Sequence, residues 1–226
     1  MKKVFVSAFS LFLFAFSSLS AQEQVTRELP PFTRLYVADK MTVQLHRSTH
    51  DSITIRAEGI DASGIRAMVE QNTLKLQQVG SDFSKKKVMV NLYFRDITEM
   101  EILNGAEVIT GGLFKADSLA VTLKSGGMLY LDADIKYLKS YVIEGSVLTA
   151  EGYATVQDIT VATYATVSAY DLESEIINVK ASSGGKAKIN AESELNAKTS
   201  SGGFVSFKGD PSIKHLQGSD IVPYQE

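Results

Sequence analysis

The sequence predicts an all-β protein: a right-handed parallel β-helix, or β-solenoid, with coils of about 19 residues, preceded by a strand-rich N-terminal region. Three observations lead there. Small-residue turns recur at near-constant spacing in the C-terminal half. Apolar and polar residues alternate between those turns. Short alternating segments, separated by turn residues, fill the N-terminal half.

The turns are Ser125-Gly126-Gly127, Glu144-Gly145-Ser146, Thr163-Tyr164-Ala165, Ser183-Gly184-Gly185 and Ser201-Gly202-Gly203, whose first residues lie 19, 19, 20 and 18 positions apart. Asn104-Gly105-Ala106 is an earlier, looser copy. In this register the even offsets form apolar or small columns. Two before each turn stand Leu123, Val142, Val161, Ala181 and Thr199; four after stand Leu129, Leu148, Val167, Ala187 and Val205. Ser140, Gln157 and Thr199 are the polar exceptions. The odd offsets are mostly polar. A period of two means strands with one face inward. Agreement down the columns means that successive coils stack in register, because one repeat cannot bury its own face. At a rise of ~3.3 Å per residue, such a coil is two or three short strands. Right-handed winding is the rule for parallel crossovers.

Taken in chain order, Met1-Lys2-Lys3 is a short basic start, Val4 to Phe16 is apolar, and Ser17-Ser18-Leu19-Ser20-Ala21 is a small polar exit. This is the layout of a secretory signal peptide, residues 1–21, cleaved after Ala21. The apolar run is shorter than the ~20 residues a membrane span needs. Residues 22–100 form an N-terminal β region packed on or continuous with the solenoid. Its alternating segments are Phe32–Val37, Met41–His46, Ser52–Ala57, Ile65–Glu70, Thr73–Gln77 and Val88–Phe94, with breaks at Asp39-Lys40, His50-Asp51, Asp61-Ala62-Ser63-Gly64 and Gln71-Asn72. Ser81–Lys87 reads as a polar loop. Solenoid repeats occupy 101–209. From Gly209-Asp210-Pro211 onward the chain is expected to leave the register, so that 210–226 forms a C-terminal cap or tail over the last sheet edge.

Several of these residues are similar to a known family. Phe32-x-x-Leu35-x-Val37, Met41-Thr42-Val43-Gln44-Leu45, Ile53-Thr54-Ile55, Asn72-Thr73-Leu74-Lys75-Leu76 and the repeated Ser-Gly-Gly turns resemble the putative auto-transporter adhesin family named for its head GIN domain, a domain of unknown function common in Bacteroidetes. The resemblance runs from about Pro31 to Gly209. It implies a β-helical fold and an exported protein. It departs from the family's frequent Ser-Gly-Ala turn at Glu144-Gly145-Ser146 and Thr163-Tyr164-Ala165. It carries over no ligand and no binding residues.

Composition narrows the function classes. There is no cysteine, so neither a lipid-attachment cysteine nor a disulfide is expected. Loss of Lys2 and Lys3 with the leader takes the formal charge from −3 to −5, against a basic nucleic-acid footprint. No second apolar run approaches ~20 residues, so no transmembrane helix is expected. His46, His50 and His215 are the only histidines. His46 and His50 span a turn, and with Asp51 they fall short of the convergent set a metal needs. No histidine lies within the repeats to act as base to a serine, so no catalytic residue and no cofactor is expected.

Three features of the outer surface are candidates for contact. Asp132 and Glu151 fall seven after their turns in adjacent coils, ~4.8 Å apart, near the spacing of a retaining glycosidase pair. The column continues by this count to Tyr170. Acidic residues also suit a solvated corner. Lys180, Lys186, Lys188 and Lys198 take outward offsets in the last coils, a basic strip for an anionic glycan or headgroup that nearby Glu173, Glu175, Glu192 and Glu194 would offset. Met128, Val147 and Phe204 share an outward column, expected to be covered by the N-terminal strands. The function expected is a non-enzymatic, secreted binding module of the cell envelope or surface, an adhesin in kind. Its outer sheet faces would contact a polysaccharide or an envelope or host protein. The alternative is a periplasmic structural or interaction protein without a glycan ligand. Either way the chain is exported, to the periplasm, the outer-membrane surface or beyond.

Overall fold

The computed structural model describes residues 23–58, 64–79 and 87–225. The expected leader at 1–21, most of the break at 61–64 and the polar loop before Lys87 lie outside them. No helix among the described residues is long and apolar enough to cross a membrane. The strands are β1 (Glu23–Glu28), β2 (Arg34–Ala38), β3 (Thr42–Arg47), β4 (Ser52–Glu58), β5 (Ile65–Glu70), β6 (Thr73–Gln78), β7 (Lys87–Phe94), β8 (Glu99–Leu103), β9 (Glu107–Thr110), β10 (Phe114–Lys124), β11 (Met128–Val142), β12 (Val147–Val161), β13 (Thr166–Ser182), β14 (Lys186–Ser200), β15 (Phe204–Lys208), β16 (Ile213–Gln217) and β17 (Ile221–Pro223).

The chain is an all-β solenoid preceded by a curled mixed sheet. Each long strand bends within itself and serves two faces. On the pre-turn face the order is β5-β6-β2-β8-β10-β11-β12-β13-β14-β16. On the post-turn face it is β1-β4-β7-β3-β9-β11-β12-β13-β14-β15-β17. Only β1–β4, β4–β7 and β5–β6 pair antiparallel; all other pairings are parallel. The inward columns form one continuous core running from Phe32 to Phe207.

The repeated turn has a definite geometry. Asn104, Ser125, Glu144, Thr163, Ser183 and Ser201 have φ between 49° and 57°, and the next residue is again left-handed: Gly105, Gly126, Gly145, Gly184 and Gly202 at 69° to 75°, Tyr164 at 60°. Two successive positive φ values define a type I′ turn. The closing bonds are present, as in Gly127 N–H to the Lys124 carbonyl at 3.0 Å and Gly203 N–H to the Ser200 carbonyl at 2.9 Å. The middle N–H is not spent within the turn. It donates to the next coil, as Gly126 to Glu144 O at 3.0 Å and Gly145 to Thr163 O at 3.0 Å. The third position is buried and small for a separate reason: a Cβ on Gly127, Gly185 or Gly203 would overlap the carbonyl of Ile102, Val161 or Ala181 in a neighbouring coil. The turns therefore form a hydrogen-bonded ridge along one edge of the solenoid.

Three expectations are corrected. First, the C-terminal segment does not abandon the coil. β16 pairs parallel with β14, Glu194 opposite Ile213 and Lys198 opposite Gln217, and β17 pairs with β15. What is lost is the inward pattern, since Lys214 takes the place below Leu195. Second, a bulge separates Thr149 from Glu151 in the ladder with β13, so Asp171 rather than Tyr170 stands opposite Glu151. The 20-residue coil absorbs its extra residue there. Third, the N-terminal strands do not cover the Met128–Val147–Phe204 column. They extend it, through Thr42 and Met89.

Coil order departs from chain order. β2 and β3 sandwich between β6–β7 and β8–β9. Ala38 pairs with Leu103, so Asp39, at φ 70°, occupies the turn column beside Asn104. Of the polar residues in the inward columns, Gln157 is buried with its Nε2 donating to Ser174 Oγ at 2.6 Å. The buried hydroxyls of Ser140 and Thr199 have no hydrogen-bond partner among the described residues. Asp51, also buried, accepts from the Arg95 N–H at 2.9 Å and from its guanidinium at 2.8 Å.

Candidate functional site

The outward residues of the pre-turn face stand in straight ladders. One runs Glu101, Thr122, Tyr141, Thr160, Lys180, Lys198, Gln217. Beside it runs Lys139, Asp158, Asn178, Asn196, His215. The second ladder is cross-linked: Asn178 Nδ2 donates to Asp158 Oδ1 at 2.7 Å, and Asn196 Nδ2 donates to Asn178 Oδ1 at 2.8 Å and to Glu194 Oε1 at 2.7 Å. The Tyr137 hydroxyl closes the row by donating to the Asp158 carboxylate. Over the last coils these ladders line a groove of about 690 Å³, with Lys180, Lys198, Lys214, His215 and Gln217 on its walls. Lys214 is bridged to Asp210 at 2.9 Å. Lys180 and Lys198 are exposed and form no ion pair among the described residues.

The four lysines expected to form one strip divide between two faces. Lys180 and Lys198 precede their turns; Lys186 and Lys188 follow theirs, opposite Thr166 and Ser168 on the post-turn face. The glutamates expected to offset them are otherwise engaged in part: Glu194 accepts from Asn196 and Glu175 from the Tyr153 hydroxyl at 2.6 Å. These carboxylate bonds hold the phenolic protons. They raise Tyr137, through Asp158, and Tyr153, through Glu175, above the usual phenol range.

Asp132 and Glu151 do lie opposite each other, and Asp171 joins them in a depression of about 300 Å³ that Tyr130, Thr149 and Ser168 also line. Glu151 and Asp171 are exposed, and Lys208 approaches Asp171 at 4.0 Å. The histidines are spread apart in role. His46 stacks on Tyr93, ring centroids 5.1 Å apart, and contacts Asn91 at 3.2 Å; Asp51 is taken by Arg95. His215 lines the groove. No group of three or more His, Asp or Glu side chains among the described residues is placed to hold a metal.

Sequence reading singles out none of Asn178, Asn196 and Lys214, and takes His215 only as one of three histidines. The signal was available: Asn178 and Asn196 share one offset from their turns, and His215 stands 19 beyond Asn196. Carrying the spacing past Gly209 would have found it.

Stacked coils with ladders of polar side chains on two broad outer faces define a β-solenoid. A family model described as "putative auto-transporter adhesin, head GIN domain" matches residues 31–211, and the chain belongs to that family. Solved structures share the fold. A putative adhesin from Bacteroides fragilis is 18% identical with a TM-score of 0.80, covering 90% of this chain and 98% of its own. A putative adhesin from Parabacteroides merdae is 15% identical, TM-score 0.68, with 90% and 96% covered. A putative lipid binding protein from Parabacteroides distasonis is 14% identical, TM-score 0.66, with 90% and 97% covered. Comparison with curated proteins finds no match.

Proposed function

We propose that the protein is an exported, non-enzymatic binding module of the cell envelope or surface, an adhesin in kind, that holds an extended acidic polysaccharide on its outer faces. The observation that carries this is the groove over the last coils. Lys180 and Lys198 stand there without carboxylate partners, one coil apart, beside a row of asparagine amides. Unpaired ammonium groups in a row attract a polyanion, and the cross-linked asparagine ladder beside them keeps the same repeat. Flat, repetitive sheet faces suit an extended ligand better than a compact one. Lys186 and Lys188 add charge on the adjoining face. The carboxylates Asp132, Glu151 and Asp171 belong to a solvated, partly Lys208-neutralised corner rather than to a dry acid–base pair. The basic start and apolar run of residues 1–16 support export.

The test is binding of polygalacturonate by the purified protein at low and high salt. Affinity should fall with salt, and Lys180→Gln/Lys198→Gln should weaken binding and flatten the salt dependence. Salt-independent affinity, or an unaffected double variant, would remove the groove. Turnover of polygalacturonate that vanishes in Asp132→Asn or Glu151→Gln would replace binding with catalysis. External protease on intact cells, with a periplasmic protein as integrity control, separates the surface from the periplasm.

A further inference from the structure

We propose that Tyr164 is the sugar-stacking platform of this polysaccharide site, set on the turn ridge with Lys180 on one side and Lys186 on the other. The inference rests on the acidic-polysaccharide reading and names its aromatic contact. In the five other type I′ turns of the ridge, the second position is Gly105, Gly126, Gly145, Gly184 or Gly202. Tyr164 holds the same left-handed conformation at φ 60°, directly after the β-branched Thr163 at φ 53°. A side chain there is a backbone cost that glycine would avoid. Burial does not offset it, because Tyr164 is 81% exposed, the largest exposure among the large apolar and aromatic side chains of the described residues. A strained residue that the fold does not need points to use.

The ring also lies along the ridge. A Cβ built on Gly184 would lie 2.8 Å from Tyr164 Cδ1 and Cε1, so the ring rests across the bare backbone of the next turn. Its N–H donates to the Ser183 carbonyl at 3.1 Å. With 81% of the residue exposed, most of the ring meets solvent. A tyrosine side chain has few rotors to immobilise when a ligand lands on it. Lys180 and Lys186 stand three before and three after Ser183, one on each sheet face, both exposed and free of ion pairs among the described residues. An aromatic plate flanked by two ammonium groups fits a uronate or sulfated sugar. The apolar C–H face of its ring stacks on the phenol, and its acid group reaches a lysine.

The experiment compares wild type, Tyr164→Gly and Lys180→Gln/Lys198→Gln by calorimetry, with hexagalacturonate and a chondroitin sulfate oligosaccharide as probes, and by thermal unfolding. Tyr164→Gly relieves the turn, so its Tm should equal or exceed wild type, by up to about 4 °C. Its affinity should fall about tenfold or more at low and high salt alike. Unchanged affinity in Tyr164→Gly overturns the platform; if the lysine variant loses binding at the same time, the acidic-polysaccharide reading stands without it. A lowered Tm overturns the platform too, since the ring would then be kept for folding. If wild type binds neither probe at low salt, both readings fail, and a protein partner becomes the occupant to seek.

Discussion

Ser140, Thr199 and Gln157 all break the apolar pattern of the inward columns, but they differ in what surrounds them. Gln157 has Ser174 as partner at 2.6 Å, whereas the Ser140 and Thr199 hydroxyls are buried without one. Removing an unpaired buried hydroxyl takes away a desolvation cost; removing one member of a pair creates one. Ser140→Ala should therefore be neutral or stabilising by up to about 1 kcal/mol, and Gln157→Met destabilising by about 1–3 kcal/mol. Urea midpoints of the two variants check this, and the reverse order would contradict it. At alkaline pH the tyrosines separate. Hydrogen bonds to Asp158 and Glu175 raise Tyr137 and Tyr153 in the folded state. Their contribution to stability is complete below the unfolded phenol value of about 10 and disappears as pH rises through the folded one. Tyrosinate absorbance should show these two ionising late, and Asp158→Asn should bring Tyr137 forward. A titration of Tyr137 that ignores the substitution would show that the bond does not form in solution.

Strands and turns carry the register. Leu148 is 1% exposed, with Thr149 beside it on the outward side. Burying one Leu contributes ~1.5–3 kcal/mol, and an unpaired charge in its place costs more. Leu148→Asp should unfold the coils around it, while Thr149→Asp, next to Asp132 and Glu151, should cost less than about 1 kcal/mol and slightly more at low salt. Circular dichroism melts at two salt concentrations measure both. Equal effects would mean that the ladder is shifted by one. The repeat was legible from Ser125 to Phe207 because each column recurs after 18 to 20 residues and burial filters it twice per coil. Two local facts were not. The bulge before Glu151's partner depends on which single residue of a longer coil loops out, and alternation does not decide between Tyr170 and Asp171. The lysines looked like one strip because offsets of −3, +3 and +5 are all outward, but the turn between them sends them to different faces.

At the scale of the molecule, the end of the stack is blunted. Lys214 lies in the inward column below Leu195, bridged to Asp210, and Pro223 lies opposite Phe207 in the last post-turn strand. A lysine in place of an apolar inward residue and a residue without an N–H both discourage another strand from adding. Around them Ile213, Leu216, Val222 and Tyr224 remain exposed. Lys214→Leu/Pro223→Val should therefore shift the protein toward larger assemblies in light scattering, relative to wild type. An unchanged mass would mean that the edge is protected by something else. The matching end was the least legible part of the sequence. The coil of β2 and β3 sits on the coil of β8 and β9 across a gap from Ala38 to Leu103, so its Asp39 turn shares no spacing with the others.

That insertion of β2–β3 between β6–β7 and β8–β9 sets the order in which the molecule can be made. A chain delivered from its N-terminus emerges with its earliest coil already complete and both of that coil's neighbours still to come. The coil cannot settle until Leu103 and Thr110 have arrived, so nothing before that point is a finished piece. Everything after it can be laid down one layer at a time. Tandem duplication or loss of a single coil is then a tolerable change in the C-terminal half, where a new layer meets two like neighbours. In the first 110 residues the same event would break an interlock. Members of such a lineage should differ in length at one end and keep the other.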